Sequence, residues 1–194
     1  TDAVLYLVSY PFECSEQISS RVAGIADLRD VLAAFKSPGL PSKDKLEAKV
    51  AEDLERLYSM QNYDGGFPFW QRGYESWPYL TVHVTNALVR AKAKGFAIER
   101  GPLDNALEYL RTIENRYPHY YTEEIRRTIT SYALYTRMLA GDRDTARARG
   151  LIGTTPSALP PAASGEPAEA REDEAPEAGE RHSPVARIDR VAVG

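Results

Sequence analysis

Apolar residues recur at three-to-four-residue intervals along most of the chain, with polar positions between them. Ile18, Val22, Ile25, Leu28 and Leu32 mark one face of a helix over 14–34. A shorter apolar stretch, Ala3 to Val8, precedes it and is closed by Pro11. Leu46, Val50, Leu54 and Leu57 predict a second helix over 43–60, with Ser42 as its N-cap. Leu80, Val84, Ala87, Leu88 and Ala91 predict a third over 79–94, ended by Gly95. Pro102 is placed to open a fourth, carrying Leu103, Ala106, Leu107, Leu110 and Ile113. Thr122 caps a fifth, with Ile125, Ile129, Tyr132, Ala133 and Leu139, ended by Gly141. No alternating pattern of useful length predicts a strand, so the expected class is all-α, built of helical hairpins.

Two stretches break the rhythm. Residues 61–78 hold glycines and prolines that forbid a helix beside aromatics that favour burial. A long aromatic loop in a compact helical domain has a packing or functional task. Beyond residue 150 the aromatics are gone and the text turns to Pro, Ala, Glu and Gly. That composition predicts a disordered tail over 151–194 after a domain over 1–150. The tail carries eight acidic and four basic residues, so the net charge of -4 belongs to it and the body is neutral. A neutral body gives no electrostatic reason to expect nucleic acid or an anionic membrane as partner. No apolar run reaches the length of a membrane span. The start, Thr1-Asp2-Ala3-Val4, carries no leader, so the chain is expected to be a piece of a longer one.

The chemistry concentrates in Tyr10-Pro-Phe-Glu-Cys-Ser-Glu-Gln-Ile-Ser-Ser-Arg21. Cys14 is the sole cysteine and stands three residues before Gln17 at a helix start, a spacing that puts both side chains on one face. Helix N-termini favour a thiolate nucleophile. Attack on the Gln17 amide carbon with loss of ammonia would leave an internal thioester, a stored acyl donor open to amines, hydroxyls and water. It survives only if kept dry. Tyr10 and Phe12, or Phe67, Phe69 and Trp70 from the loop, are the candidate cover, and the sequence does not choose among them. Against this stands the plainer reading of Cys14 as an inert buried thiol and Gln17 as a surface residue.

The same stretch resembles the thioester signature of the alpha-2-macroglobulin and complement superfamily, whose core is Cys-x-Glu-Gln. Its Tyr-Pro lead-in and trailing Ser19-Ser20-Arg21 resemble the bacterial branch. Asp64-Gly-Gly-Phe67 and Trp77-Pro-Tyr-Leu-Thr-Val-His-Val84 are similar to the Asp-Gly-(Gly/Ser)-Phe and Trp-Leu-Thr-Ala-Tyr-Val stretches of that domain. There are departures: many members have Gly where this chain has Glu13, and the later His or Asn of eukaryotic relatives has no assignable counterpart. The resemblance implies an α/α toroid, of which this chain is roughly the first half. It implies a protease trap in which a nucleophile of the target endopeptidase attacks the Gln17 carbonyl and releases Cys14, with Glu16 a motif residue of undefined role. This is single-turnover inhibition rather than enzyme catalysis, with no cofactor or metal. It further implies a periplasmic, cell-envelope or extracellular setting, and the remaining macroglobulin domains as partners.

Two other readings stay open. Gln61-x-x-Asp64-Gly-Gly-Phe67 also resembles the repeat motif of terpene cyclases and prenyltransferases, which share the helical toroid; no Asp-rich box accompanies it. A helical interaction module with an inert Cys14 is the third. His83, His119 and His182 show no metal-ligand spacing and read as surface or satisfied histidines. A half toroid should also leave the apolar stripes of 79–94 and 122–140 open to water.

Overall fold

The computed structural model describes residues 6, 13–34 and 41–153. Tyr10, Phe12, Ala3 to Val8 apart from Tyr6, and the segment 154–194 lie outside the described residues, as does His182. The described chain is all-α: α1 (Ser15–Ala34), α2 (Lys43–Met60), α3 (Pro78–Ala93), α4 (Arg100–Arg111), α5 (Glu123–Leu139) and α6 (Thr145–Gly153), with a 3-10 turn at Ile113–Arg116. No strand occurs among the described residues.

The helices start and stop where local chemistry requires. Ser42 Oγ accepts the Lys45 amide at 3.4 Å, and Thr122 Oγ1 accepts that of Ile125 at 3.3 Å. These side chains satisfy N–H groups that a first turn leaves without an intrahelical partner. Gly95 and Gly141 follow α3 and α5 at φ 85° and 88°, the left-handed exit that glycine takes without strain. The start of α4 corrects the sequence expectation. It opens at Arg100, and Pro102 is its third residue, tolerated because first-turn amides have no acceptor inside the helix. Pro78 takes the first position of α3.

The order of packing defines the architecture. α1 packs on α3 and α3 on α5, while α2 lies against α1 and α4 against α3 and α5. The odd helices pack side by side in one row with the even helices against them, as in a segment of an α/α toroid. α3 is the centre of the row and is buried nearly all round. This overturns the expectation that its stripe faces water: Leu80, Val82, Val84, Leu88 and Ala91 are covered by α1, α4 and α5. Full burial of a leucine of this kind contributes about 2 kcal/mol. The stripe of α5 is the one left partly open, with Ile125, Tyr135, Met138 and Leu139 exposed. Leu28, expected on the buried face of α1, is exposed as well, because Ile18, Val22 and Ile25 already fill the α1–α3 seam.

Polar groups inside the core are paired. Arg21 on α1 and Asp53 on α2 form a forked ion pair, Nε to Oδ2 and Nη2 to Oδ1 both at 2.6 Å, with both side chains 2% exposed. The hydrogen bond to Asp53 lifts the Arg21 guanidinium above its ordinary pKa, against burial, which lowers it. Asn86 on α3 donates to Thr136 on α5 at 3.2 Å. No buried side-chain nitrogen or oxygen lacks a partner among the described residues.

Candidate functional site

Cys14 sits at the mouth of α1. Its carbonyl accepts the Ile18 amide at 3.0 Å, which makes it the residue from which the helix begins. Its own amide donates to Gln17 Oε1 at 3.3 Å. This is the back-reaching half of a capping box, with cysteine in the place that serine or threonine usually takes and glutamine three residues on. The contact across this first turn runs from the Cys14 backbone amide to the Gln17 side chain. Cys14 is 5% exposed and Gln17 half-buried.

Ser15, next to Cys14, is fully buried and holds the aromatic loop. Its amide donates to the Phe69 carbonyl at 2.8 Å, and its Oγ donates to the Pro68 carbonyl at 2.6 Å with Met60 Sδ at 3.2 Å. Among the candidate covers, Phe67 is fully buried in the core, whereas Phe69 and Trp70 are 36% and 62% exposed. Phe69 meets Trp77 edge-on at 5.8 Å. The loop thus comes to the Cys14 turn through its backbone at 68–69.

The loop is held from within. The Asp64 carboxylate accepts the Gly66 amide and the Ser76 hydroxyl, each at 2.9 Å, and Arg116 pairs with it at 3.2 Å. Gln61 Nε2 donates to the carbonyls of Gly65 and Pro102. At Gly65, φ is +84° and an added Cβ would lie 2.2 Å from the Asn105 carbonyl oxygen; at Gly66 it would lie 2.6 Å from the Tyr109 ring. The Asp-Gly-Gly motif is therefore a seat on α4. Its role in the described structure is architectural.

Glu16, undefined from sequence, faces α3. Ser20 Oγ donates to Glu16 Oε1 at 3.1 Å and lies 2.9 Å from His83 Nε2. A hydroxyl has one proton, so a serine that gives it to Glu16 accepts from His83, which fixes the Nε2–H tautomer. His83 stacks on Tyr79 at 6.2 Å. Burial holds its pKa below the ordinary value, with Glu16 pulling upward and Arg90 downward. The satisfied-histidine expectation holds for His83 through this bond, while His119 packs edge-on against Tyr120 at 5.5 Å. Sequence reasoning missed Ser15, Ser20, His83 and Asp53 as neighbours of the motif. The hydropathy pattern gave no signal for them, because their partners lie 32 to 63 residues away. Among the described residues no group of three or more His, Cys, Asp and Glu side chains is placed to hold a metal ion, and no helix is long and apolar enough to cross a membrane.

No family model matches the chain. It is 32% identical over 119 residues to an alpha-2-macroglobulin of Thermotoga maritima, and 30% identical over 106 residues to that of Escherichia coli strain K12. These alignments cover 61% and 54% of this chain. The chain is similar to a short stretch of bacterial alpha-2-macroglobulins. It spans only 7% and 6% of the length of those two relatives. The fold agrees: a solved structure of Salmonella alpha-2-macroglobulin reacted with methylamine superimposes with a TM-score of 0.67 and 22% identity, covering 78% of this chain and 10% of that one. The likeness to alpha-2-macroglobulins favours neither the isoprenoid-enzyme reading nor an unrelated helical module.

Proposed function

We propose that Cys14 and Gln17 form an internal thioester, and that the segment carries the acyl donor of an alpha-2-macroglobulin that captures endopeptidases covalently. The observation that supports this best is the 3.3 Å bond from the Cys14 amide to Gln17 Oε1, which folds the carboxamide back over the cysteine that would attack it. In the forming step Cys14 Sγ bonds to Gln17 Cδ and the C–N bond breaks. The thiol proton leaves with the amide nitrogen as ammonia. Charge that gathers on Oε1 in the tetrahedral intermediate meets the Cys14 N–H, a preorganised donor. In the capturing step an amine nitrogen, such as a protease lysine, bonds to Cδ. The C–S bond breaks, the amine proton passes to sulfur, and Cys14 becomes a free thiol. One turnover consumes the donor, so the protein is an inhibitor rather than an enzyme. The relative that was crystallised after reaction with methylamine is in keeping with this chemistry. The periplasm or cell envelope is the matching compartment, with the other macroglobulin domains as partners.

The test is the intact mass of freshly purified full-length protein, with a thiol titration before and after methylamine. Loss of one ammonia, a blocked thiol, and release of one thiol with the amine fixed on Gln17 are expected. A fully reactive Cys14 from the outset, with Gln17 unmodified by peptide mass, refutes the proposal.

A further inference from the structure

We infer that Ser15 is a positioning residue that sets the lifetime of the acyl bond, an inference that rests on the thioester reading above. The intervening residue of the Cys-x-Glu-Gln core carries no chemistry of its own in that reading. Yet here it binds two consecutive carbonyls of the aromatic loop: Pro68 through its hydroxyl at 2.6 Å and Phe69 through its amide at 2.8 Å. Met60 Sδ, the last residue of α2, lies on the same hydroxyl at 3.2 Å. Ser15 is fully buried, so no water replaces either partner without the packing opening.

The segment it holds has no slack elsewhere. The Phe67 amide donates to Thr81 Oγ1 at 2.9 Å, and the Phe67 carbonyl accepts the Trp77 amide at 3.0 Å. Pro68 has no amide to offer. Residues 67–69 are thus stitched to α3 at one end and to the Cys14 turn at the other, and Ser15 is the second stitch. Remove its hydroxyl, and the Pro68 carbonyl is left buried without its donor. The segment then relieves that cost by moving away from the turn and admitting water. Water that reaches the Gln17 carbonyl bonds to carbon and breaks the C–S bond. A carboxylic acid remains at residue 17 and a thiol at Cys14.

The experiment compares full-length wild type, Ser15→Ala and Thr136→Val. The last removes a different buried hydroxyl, the acceptor of Asn86 on the far side of α3. The readouts are the ammonia-loss mass of the Cys14–Gln17 peptide and the rate at which free thiol appears in buffer without amine. Wild type and Thr136→Val should hold the bond. Ser15→Ala should release thiol on the order of tenfold faster, or show a free thiol from the start. Equal acceleration in both variants would reduce Ser15 to a matter of general stability and overturn the inference. So would a wild-type rate in Ser15→Ala while wild type shows the ammonia loss; the thioester reading would then stand alone. No ammonia loss in wild type removes both.

Discussion

The Arg21–Asp53 pair is the feature whose loss the structure predicts most sharply. Replace Asp53 by alanine and the Arg21 guanidinium stays inside, 2% exposed, with its two 2.6 Å partners gone. Breaking a buried ion pair from one side costs about 3–5 kcal/mol, because the remaining charge loses its forked carboxylate in a poorly solvating interior. Lys49 Nζ, 3.3 Å from Asp53 and partly exposed, loses a contact at little cost. Against a total stability of about 5–15 kcal/mol, this is a large fraction. It should lower Tm by roughly 10 °C for a domain of this size. The decisive comparison is Arg21→Met with Asp53→Leu. Two apolar side chains of similar volume remove both charges and should restore most of the loss. Asp53→Asn should fall between the two, keeping an acceptor but not its charge. Urea unfolding followed by circular dichroism gives the three stabilities. A cost below about 1 kcal/mol for Asp53→Ala, or a double variant no better than the single, would show that Arg21 reaches water on its own and refute the argument. Arg21 stands two helical turns beyond Cys14 on the same helix. The variant should therefore also speed release of the Cys14 thiol in native protein.

Three further outcomes follow from other parts of the structure. Gly65→Ala should cost more than about 2 kcal/mol, since it meets both a left-handed φ and a backbone oxygen 2.2 Å from the new Cβ; thermal unfolding checks it. Cys14→Ala should abolish covalent protease capture in the full-length protein while costing only about 1–3 kcal/mol of fold stability; adducts surviving on denaturing gels would point to other chemistry. His83, with its folded pKa held below the ordinary 6.5, gives stability that is present above 6.5 and lost as the pH falls through the folded value. The slope of urea midpoint against pH in that window should flatten in His83→Phe, and an unchanged slope would exclude His83 as its source.

The helical frame was legible because its signals are local. Ser42 and Thr122 cap, Gly95 and Gly141 terminate, and Leu46 to Leu57 repeat at helical spacing without reference to anything distant. The nearness of Gln17 to the Cys14 turn was legible for the same reason, as a contact three residues long. Ser15, Ser20 and Arg21 were not. A buried arginine on an amphipathic helix reads as a surface residue until Asp53 is known to face it, and nothing in either segment specifies that register. The placement of Pro102 failed by two residues because proline is compatible with any position of a first turn, so it marks a helix start only loosely. The exposure expected for α3 failed differently: the stripe of Leu80, Val84, Ala87, Leu88 and Ala91 predicts one apolar face, while Val82, Thr85 and Val89 beside it are buried too.

That central placement of α3 bears on the chemistry. The site draws on four elements: the turn before α1, the end of α2, the loop at 67–69 and the face of α3 with His83. Among the described residues each is tied to another by a hydrogen bond: Ser15 to Met60 and Pro68, Phe67 to Thr81, and Ser20 to His83. The other end of the row is built differently. Between α5 and α6 lies a groove of about 720 Å³, bordered by Leu134, Tyr135, Met138, Leu151 and Ile152. α6 itself buries no residue. Few buried contacts mean low local unfolding free energy, whereas a cross-linked end unfolds only with the whole. The thioester proposed for Cys14 and Gln17 would need to outlast spontaneous hydrolysis, and the second kind of structure suits such a bond.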